Sequence, residues 1–143
     1  LKTGATHGID PDKENVADRV LEITNGMGAN LILEATGLPS VVWQDIEKVI
    51  WEGKALNATV VIVARADDKI PMNGEVFQVR RAQVVGAQGH SGHGTFPRVI
   101  ASMAGGMDVS GLITKRISLE EIPENLKMLQ TDRNEVKITM FPK

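Results

Sequence analysis

An α/β fold is predicted here: a doubly wound parallel sheet with helices against its strands, lacking its first β-α-β unit. The prediction rests on apolar, β-branched runs that alternate with amphipathic helical stretches along the 143 residues. It rests also on residues 57–64, a run apolar on both faces, which suits a central strand of a covered sheet. Thirdly, the alternation begins in mid-pattern, at Leu1-Lys2-Thr3-Gly4-Ala5-Thr6-His7-Gly8-Ile9-Asp10, with no Gly-rich turn ahead of it. A dinucleotide-binding sheet ordinarily opens with a strand, a Gly-rich loop and a helix, because helix N-terminal amides hold the pyrophosphate. The expectation is therefore the back part of a longer protein, and Leu1 in place of an initiator Met fits a processed, excised or truncated product.

Asp10-Pro11 reads as a helix start, with Val16, Val20 and Ile23 on one face and Gly26 and Gly28 as the stop. Residues 29–35 read as a short, largely buried strand leaving the sheet at Thr36-Gly37. Pro39 opens a second helix with Val42, Ile46, Val49 and Ile50 as its apolar stripe. Gly53 ends it, and the 57–64 strand follows. Residues 74–81 suggest a short helix anchored by Val76, Phe77 and Val79, then a strand at 83–87. That strand runs into the polar loop Gln88-Gly89-His90-Ser91-Gly92-His93-Gly94. Thr95 is read as the cap of a helix with Phe96, Val99, Ile100 and Met103 inward, closed by Gly105-Gly106. Residues 113–117 form a candidate strand, Ser118-Leu119-Glu120-Glu121 a capping box opening a helix to about Leu129, and residues 136–141 a last strand. Right-handed crossovers between such strands place ligands outside their carboxyl ends, at Thr36-Gly37, Ala64-Arg65 and residues 88–94.

Composition narrows the function classes. A formal net charge of −2 with scattered Lys and Arg argues against nucleic acid or an anionic membrane as partner. The longest apolar run, residues 58–64, is interrupted by Thr59 and falls far short of the roughly 20 residues of a membrane span. Zero Cys excludes disulfides and thiolate metal sites within the chain and suits a reducing compartment, so a cytoplasmic protein is expected.

Two constellations invite sharper readings. His90 and His93 have H-x-x-H spacing, yet helical metal pairs favour i,i+4 and this stretch is a Gly-broken loop, so no metal ligand is assigned. Ser91 lacks a strained nucleophile elbow, and no catalytic residue is assigned. The glycines of residues 89–94 read G-x-x-G-x-G, the reverse of the dinucleotide fingerprint. Trp43 and Trp51, eight residues apart on one helix, are read as near one face, packing against a missing half or a neighbouring subunit.

The series Gly4-Ala5-Thr6-His7-Gly8-Ile9-Asp10, Glu34-Ala35-Thr36-Gly37, residues 60–64 and Val85-Gly86-Ala87 resembles the second half of a medium-chain, zinc-dependent alcohol dehydrogenase. The tail, residues 113–122 and Val136-Lys137-Ile138-Thr139, is similar to that family's closing segment. Residues 74–97 most resemble its polyol and inositol branch. The resemblance implies a partial Rossmann-like sheet: residues 1–88 would be the second half of a dinucleotide-binding domain, and 89–143 a C-terminal segment returning toward the catalytic domain. It implies hydride transfer between a secondary alcohol carbon and NAD or NADP, with zinc polarising the alcohol oxygen in the parent enzyme. The family's zinc ligands and Gly-rich loop precede the point where Leu1 falls, so zinc is not expected to bind this chain, and the chain alone is expected to be inactive.

Carried over by position, Ala35, Thr36 and Gly37 would line the adenosine side of the cofactor, with a hydroxyl contact from Thr36. Val63, Ala64 and Arg65 would pass beneath the nicotinamide ribose, Val63 offering its carbonyl to the carboxamide. Ala87 and Gly89 would complete that clamp, and His90 would lie on the substrate side. Lys137 stands where the family usually carries an Arg toward the pyrophosphate; Lys keeps the charge but loses the bidentate fork. The implied partners are a small-molecule polyol substrate and a second copy of the chain in a homo-oligomer, the strand at 83–87 being an edge used for subunit pairing in the family. The competing reading is a non-catalytic α/β module for nucleotide binding or oligomerisation.

Overall fold

The computed structural model describes residues 4–67, 69–89, 94–132 and 134–142. Strands Leu31–Glu34 (β1), Thr59–Ile62 (β2) and Gln83–Gly86 (β3) pair in parallel in the order β1-β2-β3, so the β-branched run takes the central position. Each strand is shorter than its apolar run because only these residues are laddered to a neighbour. The chain divides into two compact units, Leu1–Gly89 and His90–Lys143.

In the first unit the helices are Val16–Ile23 (α1), Pro39–Glu52 (α2) and Gly74–Arg80 (α3). The expected helix start at Asp10-Pro11 is corrected: those residues make a separate turn, with Lys13 and Glu14 N–H groups donating to the Asp10 carbonyl at 3.0 and 3.1 Å. α1 begins five residues after Pro11, where Asn15 accepts the Asp18 N–H at 2.9 Å, a better side-chain cap than the Asp10 site offers. α2 opens at Pro39 as expected from its preset φ.

The core joins α2 to the sheet and to α3: Trp43, Ile46, Ile50, Ala58, Val60 and Val76 are buried together. Trp43 is only 1% exposed and its ring lies 6.0 Å from that of Phe77. Its indole N–H donates to Glu47 Oε1 at 3.0 Å, so the polar end of the ring is satisfied at the core's edge. Trp51, by contrast, is 41% exposed with the Arg80 guanidinium over its ring. The shared face expected for the two tryptophans is therefore corrected, since eight residues at ~100° each leave them about 80° apart. Val79 is also exposed rather than an anchor, because α3 turns only Val76 fully and Phe77 partly toward the core.

The segments that lead into β1 and out of α2 cross in close backbone contact. Lys54 and Ala55 N–H groups donate to the carbonyls of Gly26 and Met27, both at 3.0 Å. A Cβ on Gly53 would lie 2.5 Å from the Val49 carbonyl oxygen and 2.9 Å from that of Met27, so only glycine fits.

β1 differs from the expected buried strand: Leu31 and Leu33 are 60% and 61% exposed, while Glu34 at its end is buried. The strand is an edge of the described sheet, and the face bearing Leu31 and Leu33 has little cover among the described residues.

The second unit holds the helix Thr95–Ala104 (α4), strand Ile113–Ile117 (β4), helix Ile122–Met128 (α5) and strand Lys137–Met140 (β5), with β4 and β5 parallel and a register shift between Ile113 and Lys115. Thr95 does not cap α4; Gly94, at φ +77°, takes the cap position and its carbonyl accepts the Arg98 N–H. No residue of α4 is buried, so the inward face expected of Phe96, Val99, Ile100 and Met103 is exposed. Half of the capping box forms, with Ser118 N–H donating to Glu121 Oε2 at 2.7 Å, and α5 starts only at Ile122.

Candidate functional site at the strand ends

Glu34, Ile62 and Gly86 stand in register across the three strands, so Ala35, Val63 and Ala87 leave the sheet side by side. At a strand spacing of ~4.8 Å they span about 10 Å of one sheet edge. Hydrogen bonds continue the ladder past the strand ends: Val63 and Ala64 N–H groups donate to the Glu34 carbonyl at 2.8 and 3.2 Å, and Ala87 N–H donates to the Ile62 carbonyl at 2.9 Å. The amides of Val63 and Ala87 are thereby committed, and carbonyls are the backbone groups these two residues offer a ligand.

A cleft of about 380 Å³ opens between the ends of β2 and β3, lined by Val63, Ala64, Arg65, Ala66, Ala87 and Gln88 among others. Four of the expected residues, Val63, Ala64, Arg65 and Ala87, thus share one cleft. Thr36 borders a second, mostly apolar cavity of about 470 Å³ that runs along β1 between α1 and α2. Gly37, at φ +76°, makes the turn between β1 and α2, a backbone conformation that requires glycine. Gly89 follows β3 with φ +51° and is exposed. His90 and His93 lie outside the described residues. Lys137 belongs to the second unit, at the start of β5 opposite Ile113, where its N–H donates to Thr114 Oγ1 at 3.4 Å.

The sequence pattern gave Glu34 no role, yet it is the most connected group at this edge. It is 2% exposed. Its Oε1 accepts both the N–H and the hydroxyl of Thr36, at 2.8 and 2.6 Å, and Thr36 Oγ1 in turn accepts the Leu38 N–H at 3.0 Å. The available signal was a carboxylate closing an otherwise apolar strand, two residues before a hydroxyl able to reach it.

The strand-end cleft combines the small side chains of Ala64, Ala66 and Ala87 with the longer Arg65 and Gln88, at the sheet edge where α/β folds place ligands. Zinc does not fit the described residues: no group of three or more His, Asp or Glu side chains converges among them, and the sequence contains no Cys.

Comparison with known proteins agrees with this architecture. The chain is 66% identical to the scyllo-inosose 3-dehydrogenase of Thermotoga maritima over 96% of its own length and 35% of that protein's. It is 30% identical to an L-threonine 3-dehydrogenase of Rhizobium rhizogenes, over 97% and 39% of the two chains. A solved structure from Thermotoga maritima superposes with a TM-score of 0.93 at 65% identity, covering 96% of this chain and 35% of that one. The 2R,3R-butanediol dehydrogenase of Bacillus subtilis superposes with a TM-score of 0.77 at 27% identity, covering 94% and 38%. The chain thus spans little more than a third of the length of these relatives, and its fold is the Rossmann-like α/β fold of their C-terminal portions. The family model of the zinc-binding dehydrogenases matches residues 1–105, and the chain belongs to that family.

Proposed function

We propose that this chain supplies the cofactor-facing strand ends of an NAD- or NADP-linked alcohol dehydrogenase that oxidises a secondary alcohol of a polyol to a ketone by hydride transfer. The observation that carries the reading is the register of Glu34, Ile62 and Gly86, which delivers Ala35, Val63 and Ala87 to one edge beside an open cleft. Similarity to the Thermotoga maritima enzyme favours an inositol-like polyol as substrate.

In this reading a bound nicotinamide would supply the hydride acceptor, and the chain's own residues would orient it. Val63 presents its carbonyl to the carboxamide, because its N–H is held by Glu34. Ala64, Arg65, Ala87 and Gly89 close around the adjacent ribose, fixing which ring face meets the alcohol. Ala35, Thr36 and Gly37 support the adenosine end. In this reading zinc is not held by the described residues, no proton or hydride step is assigned to them, and the chain alone is expected to be inactive.

A hybrid enzyme tests the proposal. Replacing the matching segment of the Thermotoga maritima relative with this chain is expected to give a dehydrogenase that reduces NAD or NADP with an inositol-type polyol, read as reduced-cofactor absorbance. A folded hybrid inert with both cofactors overturns it.

A further inference from the structure

We infer that Glu34 is a positioning residue that turns Thr36 into a pure hydrogen-bond acceptor, so that this turn selects a neutral donor group of the ligand, a nucleoside hydroxyl or amine, over phosphate. The inference deepens the proposed cofactor reading and rests on it.

The chemistry follows from burial. A carboxylate that is 2% exposed must be compensated by donors, since an uncompensated buried charge is among the costliest features of a folded chain. Among the described residues, both hydrogen bonds received by the Glu34 carboxylate come from Thr36, through its N–H and its hydroxyl. The second oxygen, Oε2, is buried with no partner among the described residues, so no other donor shares the load. The Thr36 hydroxyl proton is therefore fixed: lending it to a ligand would strip a buried anion of half its compensation.

One lone pair of Thr36 Oγ1 takes the Leu38 N–H at the entrance to α2. The other remains, on an exposed residue bordering the β1 cavity. A ligand meeting Thr36 finds an acceptor backed by negative charge. A ribose hydroxyl or an exocyclic amine satisfies it; a phosphate oxygen, acceptor facing acceptor, does not. Glu34 also accepts Val63 and Ala64 N–H groups on its carbonyl, so the residue ties the turns after β1 and β2 together.

The test uses the 143-residue chain, with amide NMR at Thr36 and Gly37 as the readout and adenosine and inorganic phosphate as probes. Adenosine is expected to shift both signals and phosphate to leave them in place. Thr36→Val, which also removes one of the two donors to the Glu34 carboxylate, is expected to weaken adenosine about fivefold or more with the Val60 and Val84 amides still protected, and Thr36→Ser to stay within about twofold of the parent chain. Glu34→Gln is expected to speed hydrogen exchange at the Thr36 amide by about tenfold while leaving Val60 and Val84 protected. The inference is overturned if phosphate shifts the Thr36 and Gly37 signals as adenosine does, if Thr36→Val binds like the parent chain, or if adenosine shifts neither signal. None of these results depends on the hybrid enzyme, whose inertness would instead remove the proposed function.

Discussion

Single residues decide how the core and its crossing linkers are built. Trp43 fills the space between α2 and α3 at 1% exposure, stacked on Phe77. Trp43→Ala is expected to cost about 3–5 kcal/mol, measured by urea denaturation; a loss below about 1 kcal/mol would place the ring outside the core. Gly53→Ala is expected to cost about 1–3 kcal/mol, because the new methyl meets the Val49 and Met27 carbonyl oxygens, backbone atoms that cannot step aside. Gly86→Ala is the control, since an added methyl there meets nothing within 4 Å and the residue has no positive φ. Gly53 was legible in the sequence as a helix stop. Its tighter role was not, because the atoms that forbid a Cβ come from Met27 and Gly28 as well as its own helix.

Elements depend on their ends. Asn73 caps α3 by accepting the Glu75 N–H at 3.1 Å, and its own N–H donates to Glu47 Oε1 at 2.6 Å. Asn73→Ala is expected to lower stability by about 1 kcal/mol, seen as a shift in the urea midpoint with unchanged slope. In the second unit the Asp108 carboxylate accepts the Ser110 N–H at 2.9 Å, and the Ser110 backbone bond, then its side chain, hold the acid below its ordinary range against a smaller desolvation. A depressed carboxylate stabilises the fold above its unfolded pKa and loses that contribution as pH falls through its folded value. The Ser110 amide is therefore expected to exchange faster, relative to its intrinsic rate, as solutions are acidified below the usual carboxylate range. Asp108→Asn should flatten that dependence. The apolar stripes of α2 and the β-branched run of β2 were readable from periodicity alone. The start of α1 was not, because Asp10-Pro11 and Asn15 both satisfy local capping rules and only the position of α1 against α2 chooses between them.

Across the molecule, apolar surface remains in view in both units. Leu31 and Leu33 on β1 and Val41 on α2 are each at least 60% exposed, as are Phe96 and Ile100 on α4. No helix among the described residues is long and apolar enough to cross a membrane. Such faces favour association with apolar surface of another chain, and β3 is an edge of the sheet among the described residues. The 143-residue chain is accordingly expected to self-associate in light scattering, with Leu33→Lys and Ile100→Lys together shifting it toward monomer. A monodisperse monomer at micromolar concentration would contradict the prediction. The sequence by itself determined the element order, the central place of β2 and the family, because period, β-branching and turn glycines are local properties that survive without knowledge of contacts. Tertiary structure alone decided that Trp43 and Trp51 part company, that α4 keeps its apolar face in view, and that Glu34 becomes the hub of the strand-end turns. Those outcomes depend on which distant segment arrives to cover a side chain, and burial is a property of the neighbours as much as of the residue.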